Sequence, residues 1–188
     1  TASRGLGDVY KRQTGMFGKW GLGAPGSSGD PVNQSWDEFY GYNCQRQAHT
    51  FYPKHLWHND KKVMLDGKTY SHDLIHEQSL KFIRDNAKKP FFAYLPYNTP
   101  HSPMQVPDRF WKKFDGTELK MRNRYPNKEN VQHTRAALAM CENVDWNVGR
   151  LIKKLKSLNV ADNTIVVFFH DNGPNAVSYT HLRAHETR

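Results

Sequence analysis

Residues 71–103 read S-H-D-L-I-H-E-Q-S-L-K-F-I-R-D-N-A-K-K-P-F-F-A-Y-L-P-Y-N-T-P-H-S-P. Leu74, Ile75, Phe82 and Ile83 fall on one side of a helix, which the spacing predicts from Ser71 to about Ala87 with Ser71 as its cap. Lys88 and Lys89 fall in its last turn, where the helix dipole favours cations, and Pro90 ends it. Phe91 to Leu95 is then an unbroken apolar run, the pattern of a strand buried on both faces. A polar loop follows at once, from Pro96 to Pro103. Helix, tight turn and buried strand together make the repeating unit of an α/β layered fold.

The same unit is expected once more downstream. In Val131 to Leu158, the residues Ala137, Cys141, Val144, Val148, Leu151, Leu155 and Leu158 recur at spacings of 4, 3, 4, 3, 4 and 3, one buried stripe of a long helix. A turn at residues 159–163 leads into Thr164–Phe169, a second apolar run expected to be a buried strand of the same sheet. The polar loop His170-Asp171-Asn172-Gly173-Pro174 follows it. The fold class is therefore α/β, with a largely parallel central sheet and helices on both faces. In such sheets ligands bind beyond the carboxyl ends of the strands. His101, Asp171 and Asn172 are thus expected to face one crevice, with His101 and Asp171 on the same edge. Elsewhere, Thr14–Gly29 reads as a Gly-rich loop, Trp36–Trp57 as irregular structure around turns, and Pro107–Asn130 as a surface excursion.

The 188 residues suffice for one domain with a sizeable core. Hydrophobic residues at 37% and aromatics at 13% exclude a disordered chain. The longest apolar run, Ile165 to Phe169, is far below the roughly 20 residues of a membrane span. Two cysteines, Cys44 and Cys141, exclude a disulfide scaffold, and one pair leaves the redox compartment open.

Both ends are anomalous. Ser3–Gln13 back-translates, with one coding choice, to a DNA string whose reverse complement encodes V-S-Y-T-H-L-R-A-H-E, the sequence of Val177–Glu186. The string resembles the adapter of a transposase-based sequencing library, so residues 1–13 and 176–188 are read as non-native tails. Residues 14–175 are then the native part, a fragment of a longer catalytic domain. The tails carry five basic and two acidic residues, so the net charge of +9 falls to +6 without them. Motifs missing from such a fragment, a leader sequence included, carry no weight.

Asp171 and Asn172 offer hard oxygen donors, which suit calcium or magnesium, although Asp-Asn-Gly is also ordinary turn chemistry. His101, between Pro100 and Pro103, can donate a proton or bind an anion. Lys19, within Gly18-Lys19-Trp20-Gly21, lies where backbone can approach an anion closely. His49, His55 and His58 read as loop residues rather than a metal cluster.

Six motifs then follow one another in order. They are G-K-W-G-L-G at Gly18–Gly23, W-D-E-F-Y-G-Y at Trp36–Tyr42, A-H-T-F-Y-P at Ala48–Pro53, F-F-A-Y-L-P-Y-N-T-P-H-S-P at Phe91–Pro103, E-N-V-D-W-N-V-G-R at Glu142–Arg150 and F-F-H-D-N-G-P at Phe168–Pro174. The set resembles the formylglycine-dependent sulfatases, arylsulfatase type, of the alkaline phosphatase superfamily. The resemblance implies an alkaline-phosphatase-like fold and a hydrolase of aryl or carbohydrate sulfate esters, periplasmic or extracellular. It implies one Ca2+ with Asp171 and Asn172 among its ligands, Lys19 on the sulfate and the nucleophile, and His101 on the sulfate near the leaving oxygen.

The nucleophile it implies is a hydrated formylglycine made within C/S-x-P-x-R. Neither Cys44, followed by Gln-Arg-Gln, nor Cys141, followed by Glu-Asn-Val, has that context, so the fragment itself is expected to be inactive. Gly21 stands where many members carry a histidine, and His170 replaces a commoner small residue. A basic surface would concentrate a sulfated small molecule or glycan, and no nucleic-acid partner is expected. The alternatives are a phosphoester hydrolase of the same superfamily, which the G-K-W segment disfavours, and a non-catalytic binder of sulfated glycans or nucleic acid.

Overall fold

The computed structural model describes residues 12–119 and 130–170. Five strands form one mixed sheet in the order β4-β3-β2-β1-β5. They are β1 (Gln13–Lys19), β2 (Glu38–Tyr42), β3 (His55–His58), β4 (Lys61–Met64) and β5 (Phe91–Tyr94). β1 pairs in parallel with β2 on one side and β5 on the other. β3 and β4 add antiparallel strands beyond β2. Among the described residues three α-helices accompany the sheet: α1 (Ser71–Asn86), α2 (Asp108–Trp111) and α3 (Val131–Ser157).

The central strand lies in the segment whose glycines read as a loop. The glycines serve close packing instead. A Cβ on Gly18 would come within 2.2 Å of Pro96 O, and one on Gly41, its register partner in β2, within 1.9 Å of Gly18 O. A side chain fits at neither position. β2, β3 and the short 3-10 turn Gln47–His49 likewise replace the irregular structure expected over residues 36–57. His55 and His58 are accordingly strand residues rather than loop residues.

α1 lies on β1, where Ile75, Phe82 and Ile83 join Phe17, Tyr40, Tyr42, Leu56 and Leu155 of α3 in the main core. Phe17 and Phe82 meet at 5.3 Å between ring centroids. Burying each such side chain contributes about 1.5–3 kcal/mol. Ser71 does not cap α1. It is the first helical residue, fully buried, with its N–H donating to Phe51 O at 2.8 Å, while Tyr70 occupies the cap position without a side-chain bond.

β5 is not buried on both faces. Phe91 and Ala93 turn to the core, whereas Phe92 and Tyr94 remain 50% and 39% exposed and stack against Trp36 at 5.9 and 6.0 Å. α3 begins at Asn130, whose Oδ1 accepts from His133 N at 2.9 Å, and ends before Asn159, which takes a left-handed φ of 57°. Its buried stripe matches the expected one in the C-terminal half, where Leu151, Leu155 and Leu158 join the main core, and departs from it before that: Met140, Asn143 and Asn147 are buried and Cys141 is exposed. Asn147 donates from Nδ2 to the backbone carbonyl of Asn143 at 3.0 Å, whereas neither polar atom of the buried Asn143 side chain has a partner among the described residues.

Thr164–Phe169 is not a strand. It forms no sheet pairing among the described residues, and Ile165 is 93% exposed. An apolar run becomes a buried strand only when a neighbouring edge accepts its backbone, and none of β1–β5 does so. Of the tails, Gln13 opens β1 and donates to Pro90 O at 3.0 Å, while 1–11 and 176–188 lie outside the described residues.

Candidate active site

The carboxyl ends of three adjacent parallel strands, β2, β1 and β5, meet along one edge of the sheet. Lys19 closes β1 opposite Tyr42 of β2, and its N–H donates to Pro96 O, just past β5, at 2.8 Å. Trp20 continues the line, its N–H on Tyr42 O at 2.9 Å and its indole N–H on Gly29 O at 2.8 Å. The Gly-rich segment after it is braced by buried Asp30. That carboxylate accepts from Gly26 N at 2.6 Å and from Asn43 Nδ2, at the end of β2, at 3.2 Å.

His101 stands on the loop that leaves β5, between the cis peptides Thr99–Pro100 and Ser102–Pro103. The root of this loop is held by α1. His72 and His76, four residues apart and so on one helix face, bond through Nδ1 to Thr99 Oγ1 and to Tyr97 Oη, both at 2.8 Å. Both imidazoles are buried, and desolvation lowers their pKa values from 6.5 to about 3 for His72 and about 4 for His76. The neighbouring Arg150 adds to the shift at His76. Buried Asn98 ties the loop sideways, donating from Nδ2 to Ala48 O at 2.6 Å. His101 itself is exposed and fixed in orientation by Nδ1, which donates to Ser102 O at 2.7 Å.

Lys19, read in sequence within a Gly-rich loop, thus closes β1, and His101 lies on the loop that leaves the neighbouring strand β5. Asp171 and Asn172 lie outside the described residues, and with them the expectation that Asp171 shares the edge with His101. Their oxygen donors suit a hard cation such as Ca2+. Among the described residues no group of three or more His, Cys, Asp or Glu side chains is placed to hold a metal ion. Gly21, at φ 116°, faces Gln45, whose Cβ would lie 3.0 Å from a Cβ at that position, so a histidine there would displace Gln45. Cys44 and Cys141 are free and exposed.

His72 and His76 belong to no motif, and His49, although inside A-H-T-F-Y-P, reads in the sequence only as a loop residue. The four-residue spacing of His72 and His76 within a helix pattern is a signal for the first two. His49 has no such signal, because only the folded loops set it beside His101, with ring centroids 4.7 Å apart.

A lysine at such a strand end carries the positive charge that an anion needs, and a histidine on the adjoining loop carries a group able to donate to an oxygen. The family model that matches is Sulfatase, over residues 2–188. The chain is 31% identical over 148 residues to the uncharacterized sulfatase YdeN of Escherichia coli (strain K12), covering 76% of this chain and 23% of that protein. It is 25% identical over 211 residues to the arylsulfatase of Klebsiella aerogenes, covering 85% and 44%. Among solved structures, Ps i-CgsB in complex with k-i-k-neocarrahexaose superposes with a TM-score of 0.66 at 28% identity, covering 86% of this chain and 37% of that one. The chain thus spans less than half the length of these relatives.

Proposed function

The chain belongs to the sulfatase family, and from that premise we propose that it is an internal segment of a sulfuric ester hydrolase acting on aryl or carbohydrate sulfates. The observation that carries this is that Lys19 closes β1 with its N–H on Pro96 O, at the start of the loop from the neighbouring β5 that bears His101. The names of the bacterial relatives and the neighbour solved with a sugar support the substrate class.

In hydrolysis the ester S–O bond breaks, the alcohol leaves with a proton, and the oxygen of water ends on sulfur. Negative charge stays on the sulfuryl oxygens and grows on the departing oxygen. The Lys19 ammonium offsets the first. His101 serves the second: with Nδ1–H committed to Ser102 O, a proton carried on Nε2 is the one available to the leaving oxygen. Asp171 and Asn172 would hold Ca2+, which when bound supplies further positive charge beside the sulfate. Hydrated formylglycine, the family's nucleophile, has no C/S-x-P-x-R source in this sequence, so the 188-residue chain alone is inactive. Carried over in the same way, the enzyme works in the periplasm or outside the cell.

The test is an assay of the full-length protein carrying this segment, beside the 188-residue chain, on an aryl sulfate and a sulfated sugar. Turnover by the first alone is the expected result, abolished with loss of Ca2+ in Asp171→Ala. In Lys19→Ala it should fall by about 100-fold or more with the ion retained, the scale seen on removing one charge-stabilising group. Turnover by the isolated chain, or equal ion loss in both variants, would contradict these roles.

A further inference from the structure

His49 takes no part in the chemistry above. It closes the 3-10 turn Gln47–His49 on a loop clamped from three directions. Asn98 holds Ala48 O at 2.6 Å, Gln105 Oε1 accepts from Phe51 N at 3.1 Å, and Tyr42 donates its hydroxyl to Thr50 O at 2.5 Å. Thus fixed, the His49 ring lies 4.7 Å from that of His101, centroid to centroid, tilted by 59°. Each Nδ1 faces a backbone carbonyl, Arg46 O at 3.2 Å for His49 and Ser102 O at 2.7 Å for His101. A carbonyl only accepts, so Nδ1 carries the hydrogen in both rings, and Nε2 of a neutral ring is left as an acceptor.

We propose that His49 is a specificity residue of the same site, its Nε2 accepting a hydrogen bond from a substrate hydroxyl next to the sulfated position. This rests on the sulfatase reading. If His101 faces the ester oxygen, a second imidazole one ring away reaches what that oxygen is attached to. In a sugar sulfated on a ring carbon next to an unsubstituted carbinol, the adjoining carbon bears a hydroxyl, which donates to an acceptor nitrogen. In a simple aryl sulfate the adjoining position is C–H, which offers nothing to it. The preferred substrate is therefore a sulfated sugar with a free vicinal hydroxyl. A site built to pair a hydroxyl discriminates against the analogue that lacks it.

The test compares wild type, His49→Ala, His49→Gln and His101→Ala in the full-length protein. The substrates are nitrophenyl sulfate, a sulfated sugar with its vicinal hydroxyl free, and the same sugar with that hydroxyl methylated. His49→Ala should lose about tenfold in kcat/KM on the free-hydroxyl sugar, the worth of one hydrogen bond, and stay within about twofold on the other two. His49→Gln, whose amide oxygen accepts, should recover part of the loss, and His101→Ala should lose activity on all three. Equal loss in His49→Ala on every substrate, or none on the free-hydroxyl sugar, overturns the role of His49. Wild type inert on every sulfate ester overturns the sulfatase reading and this inference with it, a failure visible without any variant.

Discussion

His72 and His76 are buried bases, and their titration links stability to acidity. Unfolded imidazoles titrate near 6.5, whereas the folded ones are held down to about 3 and about 4 by desolvation. Below 6.5 the unfolded chain takes up protons that the folded chain excludes, so stability is full above 6.5 and falls as the pH drops toward those values. Between pH 7.5 and 5 the two together should cost roughly 4 kcal/mol. In His76→Gln, which keeps a hydrogen-bonding group for Tyr97, roughly half of that loss should disappear. Urea unfolding at the two pH values measures both, and an unchanged pH dependence in His76→Gln would show that His76 is not held neutral by the fold. Lys19 was picked out by its Gly-rich neighbours rather than by the strand it closes, while at this scale the place of His101 was legible because it follows an expected strand, where ligands gather. His49 was not, because its partner is 52 residues away in sequence and its loop is placed by Asn98, Gln105 and Tyr42 rather than by local pattern.

Among the elements, the helices and β5 declared themselves and the other strands did not. α1 and α3 carry apolar residues at helical spacing, and the ends found for them differ by a residue or so from those expected. The interior stripe of α3 matches at Leu151, Leu155 and Leu158 but not before them, since Asn143 and Asn147 count as polar by composition yet are fully buried. β1 was hidden by its glycines, and Thr164–Phe169 was mistaken for a buried strand because composition reports what a segment prefers, not whether a partner edge exists. The glycines of the β1–β2 pair provide a test of that packing. Gly41→Ala places a Cβ 1.9 Å from Gly18 O, at a backbone φ of 154° that a side chain rarely adopts. The two strands must separate or Lys19 must leave its register with Tyr42. A loss of about 2 kcal/mol or more is expected in denaturant unfolding, with a parallel fall in activity of the full-length protein. A variant of unchanged stability would mean that the two backbones are not in contact.

For the whole molecule, the issue is which residues contribute to the fold at all. We propose that residues 1–13 and 176–188 are translated adapter. Their relation as opposite strands of one DNA string favours this, while the family match runs over residues 2–188 and so across both tails. Stability distinguishes the two. A segment selected with its domain buries apolar surface or pairs backbone, and deleting it costs energy in proportion. A segment with no such history leaves the folded state alone and alters only charge. Gln13 is the exception to respect, since it donates to Pro90 O and starts the central strand. A chain trimmed to residues 12–175 keeps that bond along with Arg12 and lowers the net charge from +9 to +7, by removing four basic and two acidic residues. Its thermal midpoint should lie within about 2 °C of the parent chain, the range of surface changes that touch nothing. A larger fall, reversed by restoring either tail, would show that tail to be part of the domain and the adapter reading to be wrong for it.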